Sequence, residues 1–97
     1  MSLRGEPVEQ RAVLPDGREV TIRVGVPEDP YIAKKELDTV DVEVFDGETP
    51  LAAVTTILEP EQTTEARALA REIAAGLESG ELEPTAAAIE PLGERLS

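Results

Sequence analysis

Hydrophobic and polar residues alternate along much of the chain up to residue 58, and this period of two predicts β-strands. One alternating run extends from Val8 to Leu14, and a more regular one from Glu19 to Val26. The dipeptide Asp16-Gly17 lies between them and favours a hairpin turn, because glycine readily adopts a positive φ. The two runs are therefore predicted to form an antiparallel hairpin.

A second hairpin is predicted by the same pattern further along the chain. From Leu37 to Phe45, valines occupy one face and mostly polar residues the other, and Asp46-Gly47 supplies the next turn. The following run, Leu51 to Leu58, is apolar on both faces, which indicates an interior strand or a strand whose second face is also covered. Together the hairpins predict a four-stranded, mostly antiparallel sheet.

One long amphipathic helix is predicted after the sheet, from about Pro60 to Ser79. Pro60 suits the first helical position, where a missing N–H is harmless, and Gly80 suits the C-terminal stop. Gly76 costs about 1 kcal/mol against alanine within a helix, which indicates that helix and sheet approach closely there. A single apolar stripe should lie on the sheet, and its members are Gln62, Ala66, Leu69, Ala70, Ile73 and Leu77.

Two prolines divide the C-terminal segment that follows this helix. Leu82, Ile89, Leu92 and Leu96 are spaced to fit one or two short helical turns that lie on the sheet or on the main helix. Pro91 should kink or end any helix through that point. Residues 1–7 are predicted to be a flexible leader and residues 8–97 a single domain. The predicted fold class is α+β, with two consecutive hairpins, one long covering helix and a short C-terminal helical segment.

The composition excludes several kinds of chemistry. The chain of 97 residues contains no cysteine and no histidine, so disulfides, thiolate sites and imidazole catalysis are excluded. The sequence begins with nothing like a signal peptide, and it has no run of about 18 apolar residues that could span a membrane. These features predict a soluble, cytoplasmic protein. Asparagine is also missing, which suits a thermophile, although a GC-rich genome produces the same bias.

The net charge limits the classes of partner that the protein is expected to bind. With 21 acidic and 9 basic residues the net charge is −12, so direct nucleic-acid binding is not expected, because the phosphate backbone requires a basic surface. The segment between the hairpins fits a short helical turn or a loop, and it gathers one aromatic ring and two cations, Tyr31, Lys34 and Lys35. These three residues are a candidate surface for an acidic partner or an anionic ligand. The favoured interpretation is structural: Tyr31 covers the end of the core while both lysines stay in water.

Three carboxylates near the second hairpin are the candidates for catalysis. Asp38 lies an even number of residues before the valines of this predicted strand, so its side chain should share their face. A hydrolase that uses two carboxylates would need a second acid within about 5 to 10 Å of it. The favoured interpretation is that Asp38 lies at the frayed start of the strand or caps the preceding turn, and that Asp41 and Glu43 belong to a solvated face. Neither a calcium-loop pattern nor a phosphate-binding glycine loop occurs in the sequence. No catalytic residue, metal site or cofactor is therefore predicted.

The second face of the sheet is the other candidate partner surface. If Val13, Phe45 and Val54 share that face, they form an apolar patch that a second copy or another protein should cover. We therefore expect a small, acidic, non-enzymatic module for protein interaction or self-assembly, in the simplest case a homodimer. Two alternatives remain: an acidic inhibitor that mimics nucleic acid and occupies a basic partner, and a small enzyme or ligand-binding protein built on carboxylates.

Overall fold

Both predicted hairpins are present in a computed structural model, which describes residues 7–26, 40–56 and 58–94. The strands are β1 (Val8–Val13), β2 (Glu19–Gly25), β3 (Val40–Asp46) and β4 (Thr49–Thr56), and the helices are α1 (Thr63–Ser79) and α2 (Ala86–Glu94). The four strands form one antiparallel sheet in the order β1-β2-β3-β4. The predicted α+β fold class is therefore confirmed, and each strand lies beside its sequence neighbour.

The two hairpin turns depend on glycine, as predicted. Gly17 has a φ of 94°, its N–H donates to the Leu14 carbonyl at 2.9 Å, and the Leu14 N–H donates to the Arg18 carbonyl at 2.8 Å. This is a three-residue loop that closes on a left-handed glycine. Gly47 has a φ of 62° and occupies the first position of a two-residue turn, as in a type II′ turn.

The core lies between one face of the sheet and both helices. Helix α1 packs on β1 and β2, and α2 packs on β4. Every member of the predicted apolar stripe of α1 is buried except Gln62, which is half-buried, and Ala74 joins the stripe. The buried face of the sheet is almost entirely aliphatic, and its members are Ala12, Val20, Ile22, Val24, Val40, Val42, Val44, Ala52 and Val54.

A bulge in β4 corrects the prediction that this strand is apolar on both faces. Val44 pairs with Ala52 but Phe45 pairs with Pro50, so Leu51 is one extra residue in the ladder. Leu51 consequently packs against the core beside Ala52. Among the described residues from Leu51 onward in this strand, only Ala53 remains as an apolar side chain on the second face.

The helix boundaries differ from the prediction at two prolines. Helix α1 begins at Thr63 and not at Pro60, because residues 59–62 form a separate turn in which the Glu59 N–H donates to Gln62 Oε1 at 2.8 Å. Helix α2 continues to Glu94, so Pro91 does not end it. The C-terminus of α1 is confirmed, since Gly80 is left-handed with a φ of 81°.

Several predictions fall outside the described residues. They are the leader at residues 1–6, the helical turn or loop between the hairpins, and the side chains Tyr31, Lys34, Lys35 and Asp38. Within the described ranges, neither helix is long and apolar enough to cross a membrane.

Candidate functional site

The second face of the sheet carries charge in place of the expected apolar patch. Val13 is on this face with 47% of its surface exposed, and Phe45 is half-buried opposite Thr21. Val54 is not there: it is only 7% exposed and pairs with Val42 on the core face. The three residues predicted to share one surface are therefore divided between the two faces of the sheet.

Cross-strand neighbours on this face alternate in sign. Arg23 on β2 lies between Glu9 on β1 and Glu43 on β3. Arg11 and Glu19 form an exposed ion pair at 3.7 Å. Opposite charges on neighbouring strands are more favourable than like charges, and the described part of this face does not present an uninterrupted row of acids that would resemble a phosphate backbone.

The candidate carboxylates of β3 do not form a recognisable catalytic arrangement. The cross-strand neighbours of Asp41 are Gly25 and Thr55, and one of those of Glu43 is the cation Arg23. The Oδ1 atom of Asp41 is enclosed, and it finds no hydrogen-bond partner in the described part of the chain. No group of three or more Asp or Glu residues within those ranges could hold a metal ion.

Ionic contacts join the ends of the two hairpins, and they involve Asp16, an acid with a shifted pKa. Arg18 Nε contacts Asp16 Oδ2 at 2.8 Å, and Arg18 Nη1 contacts Asp46 Oδ2 at 3.7 Å, so the two turns are linked. The pKa of Asp16 is lowered, chiefly because the Arg18 backbone N–H donates to its carboxylate. This cluster fixes a turn and lies in water, which makes its role structural.

A cleft lies on the helical layer, where the last turns of α1 meet α2 and the linker between the two helices, residues 80–85. It has a volume of about 470 Å³. Its apolar lining comes from Ala75, Gly76, Leu82 and Leu92. Its polar lining comes from Glu72, Ser79 and Glu81.

The path of the chain after α1 creates this cleft. Gly80 reverses the chain in a left-handed conformation, and the Leu82 N–H then donates to the Gly76 carbonyl at 3.0 Å. Leu82 is thereby brought back onto the last turns of α1. Further along, the Thr85 hydroxyl accepts the Ala88 N–H at 3.3 Å and caps the start of α2, which carries Leu92 into the cleft.

Gly76 has a different role from the one predicted. The sequence suggested a close approach of helix and sheet, but an added Cβ at Gly76 would lie 2.9 Å from the Cβ of Leu82 and 3.3 Å from its Cδ2. The glycine therefore makes room for the returning linker and not for a strand. It belongs to the wall of the cleft.

The polar groups of the cleft favour recognition over catalysis. The Ser79 hydroxyl donates to the Gly76 carbonyl at 3.0 Å and accepts the Glu81 N–H at 3.3 Å. This hydroxyl is engaged with the backbone, and the chain holds no imidazole that could activate it. The other two polar side chains are carboxylates, so the cleft presents apolar surface beside negative charge.

Two features of the sequence other than its hydrophobic periodicity are related to this cleft. The first is Gly76 within an otherwise strong helix. The second is a charge asymmetry, since residues 72–94 contain six glutamates and no lysine or arginine. Neither signal locates a cleft without the reversal at Gly80.

Comparisons of the chain with models of known protein families, with curated proteins and with solved structures gave no match.

Proposed function

We propose that this protein is a small, acidic, non-enzymatic module that binds another protein through the cleft between α1, the linker and α2. The observation that carries the proposal is an apolar cleft of about 470 Å³ with carboxylates at its edge. A concave site with a few placed polar groups is where ligands bind in most proteins. The chain supplies no histidine or cysteine for catalysis, which favours binding over reaction.

A different protein is a better partner than a second copy. The homodimer predicted from the sequence required an apolar second face, and the described part of that face carries alternating charges around Val13 and Phe45. Pairing through the cleft would bring one glutamate-rich segment against another. Because each chain carries a net charge of −12, that arrangement is opposed at short range.

The proposal is tested with two matched substitutions on α1. Ala75 and Ala68 are both exposed and lie on the same helix, but only Ala75 lines the cleft. Ala75→Arg fills the cleft with a long cation, whereas Ala68→Arg makes the same change elsewhere, and arginine is a good helix former in both cases.

Affinity capture from native lysate should recover a stoichiometric protein with the wild-type chain and with Ala68→Arg but not with Ala75→Arg. Recovery that is equal for all three, or absent for all three, rejects binding through the cleft. Sedimentation equilibrium of the purified chain at about 100 μM should show a monomer, since charges within about 8 Å of one another still repel at physiological salt. A dimer that Ala75→Arg disrupts would instead identify a second copy as the partner.

A further inference from the structure

The outer edge of β4 carries backbone groups that are free to pair with a further strand. We propose that β4 receives an extended segment of a partner protein as a fifth strand of the sheet, paired along Ala53 to Thr55. This docking surface is separate from the cleft, and it goes beyond the proposed function without depending on it.

The register of the sheet identifies the free backbone groups. In antiparallel strands, residue pairs that exchange hydrogen bonds alternate with pairs that do not. The Leu14 N–H donates to the Arg18 carbonyl at 2.8 Å, and the register carries the alternation from this pair across the sheet to β4. The residues of β4 that bond to β3 are then the core-facing ones, Ala52, Val54 and Thr56. Ala53 and Thr55 direct their N–H and C=O groups outward, where no hydrogen bond reaches them from the described part of the chain.

The opposite edge of the sheet, on β1, is closed by the chain itself. The outward Val13 N–H donates to the Glu78 carboxylate at 3.4 Å. The outward carbonyl of Arg11 accepts the side-chain amide of Gln10 at 3.3 Å. Glu9 adds a further charge along this edge. Charges and covering contacts of this kind commonly protect edge strands from pairing, so the contrast between the two edges favours β4 for docking.

Strand β4 has such protection only at its beginning. Pro50 and the bulge at Leu51 interrupt the first part of the strand. From Ala52 to Thr56 the ladder is regular, and this part contains neither proline nor a charged residue. Residues 49–58 are in fact the longest stretch of the whole sequence without a charge. Small and β-branched side chains without charge suit the pairing of a further strand.

Helix α2 covers the position that a fifth strand would take. It packs on β4, and a helix with its side chains is about 10 Å wide, whereas neighbouring strands are about 4.8 Å apart. The helix therefore extends beyond β4 by about one strand spacing. Leu92 faces the cleft beside α1, so Ala86 and Glu90, both exposed, lie on the opposite and outer flank of α2. Apolar side chains of the added strand gain burial beneath this flank beside Ala86.

The same helix selects a partner segment over a second copy. Two copies paired through β4 would place two α2 helices over neighbouring strands, about 4.8 Å apart. Packed helices need about 8 to 10 Å between their axes. An extended segment that has no helix above it avoids this conflict. The occupant is therefore a strand with apolar residues toward α2 and polar residues on the second face of the sheet.

The probe is an uncharged peptide of eight residues, the length of β4, in which valine and threonine alternate. Its valine amides are N-methylated, so only the threonine N–H groups can pair, and the valines then face α2. This blocks self-association of the peptide along its other edge. The matched control has the same sequence with the threonine amides methylated instead, which directs the valines to the second face. A second control carries N-methyl groups on all amides.

Amide hydrogen exchange of the wild-type chain gives the first measurement. Saturation with the valine-methylated peptide should slow exchange at Ala53 and Thr55 by about fivefold or more, because their N–H groups become bonded. The outward amides of Glu9 and Arg11 on β1 are internal controls and should not change. The threonine-methylated peptide should bind about fivefold more weakly, and the fully methylated peptide should not bind.

Ala53→Pro removes one outward N–H from β4 without removing a ladder hydrogen bond, which edge strands tolerate. It should weaken peptide binding about tenfold or more, whereas Glu9→Pro makes the equivalent change on β1 and should alter binding about twofold at most. Circular dichroism checks that each variant folds, and Thr55→Pro replaces Ala53→Pro if that variant does not. Ala75→Arg, in the cleft, should leave peptide binding unchanged.

Several results overturn the proposal. They are unchanged exchange at Ala53 and Thr55, equal binding of the two half-methylated peptides, and equal binding to the wild-type chain and Ala53→Pro. A wild-type dimer that Ala53→Pro disrupts in sedimentation would assign the edge to a second copy and reject the partner segment. Loss of peptide binding in Ala75→Arg would place the peptide in the cleft, which rejects the fifth strand and leaves the proposed function standing.

Discussion

Replacing Gly76 by alanine sets two effects of similar size against each other. Alanine is better than glycine within a helix by about 1 kcal/mol, so propensity alone predicts stabilisation. The new Cβ would lie 2.9 Å from the Cβ of Leu82, which is closer than side chains tolerate. Because the Leu82 N–H is bonded to the Gly76 carbonyl at 3.0 Å, Leu82 cannot retreat without losing that hydrogen bond.

The cost of the clash with Leu82 should exceed the gain in helix propensity. Overpacking typically costs about 1 to 3 kcal/mol, so Gly76→Ala should lower the free energy of unfolding by about 1 kcal/mol after the gain in propensity is subtracted. Urea denaturation followed by circular dichroism measures this as a lower midpoint at an unchanged slope. Ala68→Gly, on the exposed side of the same helix, measures the propensity difference without any contact to Leu82.

A double-mutant cycle isolates the contact. In a Leu82→Gly background the clash with the Cβ is removed, and Gly76→Ala should then raise the free energy of unfolding by about 1 kcal/mol, giving a coupling of about 2 kcal/mol. If Gly76→Ala stabilises the wild-type chain as much as Ala68→Gly destabilises it, the linker can move freely. The assignment of Gly76 to the wall of the cleft would then be wrong.

Four further predictions concern the fold. Ile73→Ala should lower the free energy of unfolding by about 2 to 5 kcal/mol, because this side chain is fully buried beneath α1, and a smaller shift in the urea midpoint would contradict that placement. Thr56→Val should cost about 1 to 3 kcal/mol, because its buried hydroxyl joins β3 to the segment after β4, while the exposed neighbour Thr55→Val should change the midpoint by less than about 0.5 kcal/mol. Gly17→Val should cost more than about 1 kcal/mol, because a β-branched residue is strongly disfavoured at a φ of 94°, and an unchanged thermal midpoint would reject the turn. The pKa of Asp16 is lowered below its ordinary 3.8, so the ionised carboxylate stabilises the fold fully above pH 3.8 and this contribution is lost as the pH falls through the lowered pKa. Asp16→Asn should therefore make the free energy of unfolding less dependent on pH in that acidic range.

Local patterns were sufficient for most of the fold. The period of two predicted β1, β2 and β3, and a short apolar run predicted β4. The two Asp-Gly turns were located because the turn itself requires a left-handed glycine. The period of 3.6 predicted which side of α1 is buried, and Ile73 shows no exposure. These features depend on neighbours within a few residues in the sequence.

Features that depend on one residue of register, or on distant segments, were not predictable. The extra residue Leu51 shifts the register of β4 by one residue and changes which of its side chains face the core. The hydrophobic pattern does not show this bulge, so Val54 was predicted on the wrong face. Pro60 suits a first helical position as well as it suits the preceding turn, which explains the early start predicted for α1. The spacing of Leu82 and Leu92 predicted that this segment packs on the sheet or on the main helix, but it did not predict the cleft, which requires the two leucines to approach α1 from separate segments.

The order of the elements along the chain has a consequence for synthesis. All four strands are translated before α1 and α2, so the valines of β2 and β3 emerge from the ribosome before the two helices that cover them in the folded protein. At about 5 to 20 residues per second, the interval between the end of β4 at Thr56 and the end of α1 at Ser79 lasts about 1 to 5 s. During that time neighbouring nascent chains could pair through the uncovered sheet, as exposed strands commonly do. The first half of the chain already carries more acidic than basic residues, and like net charge on neighbouring nascent chains opposes that pairing until α1 docks.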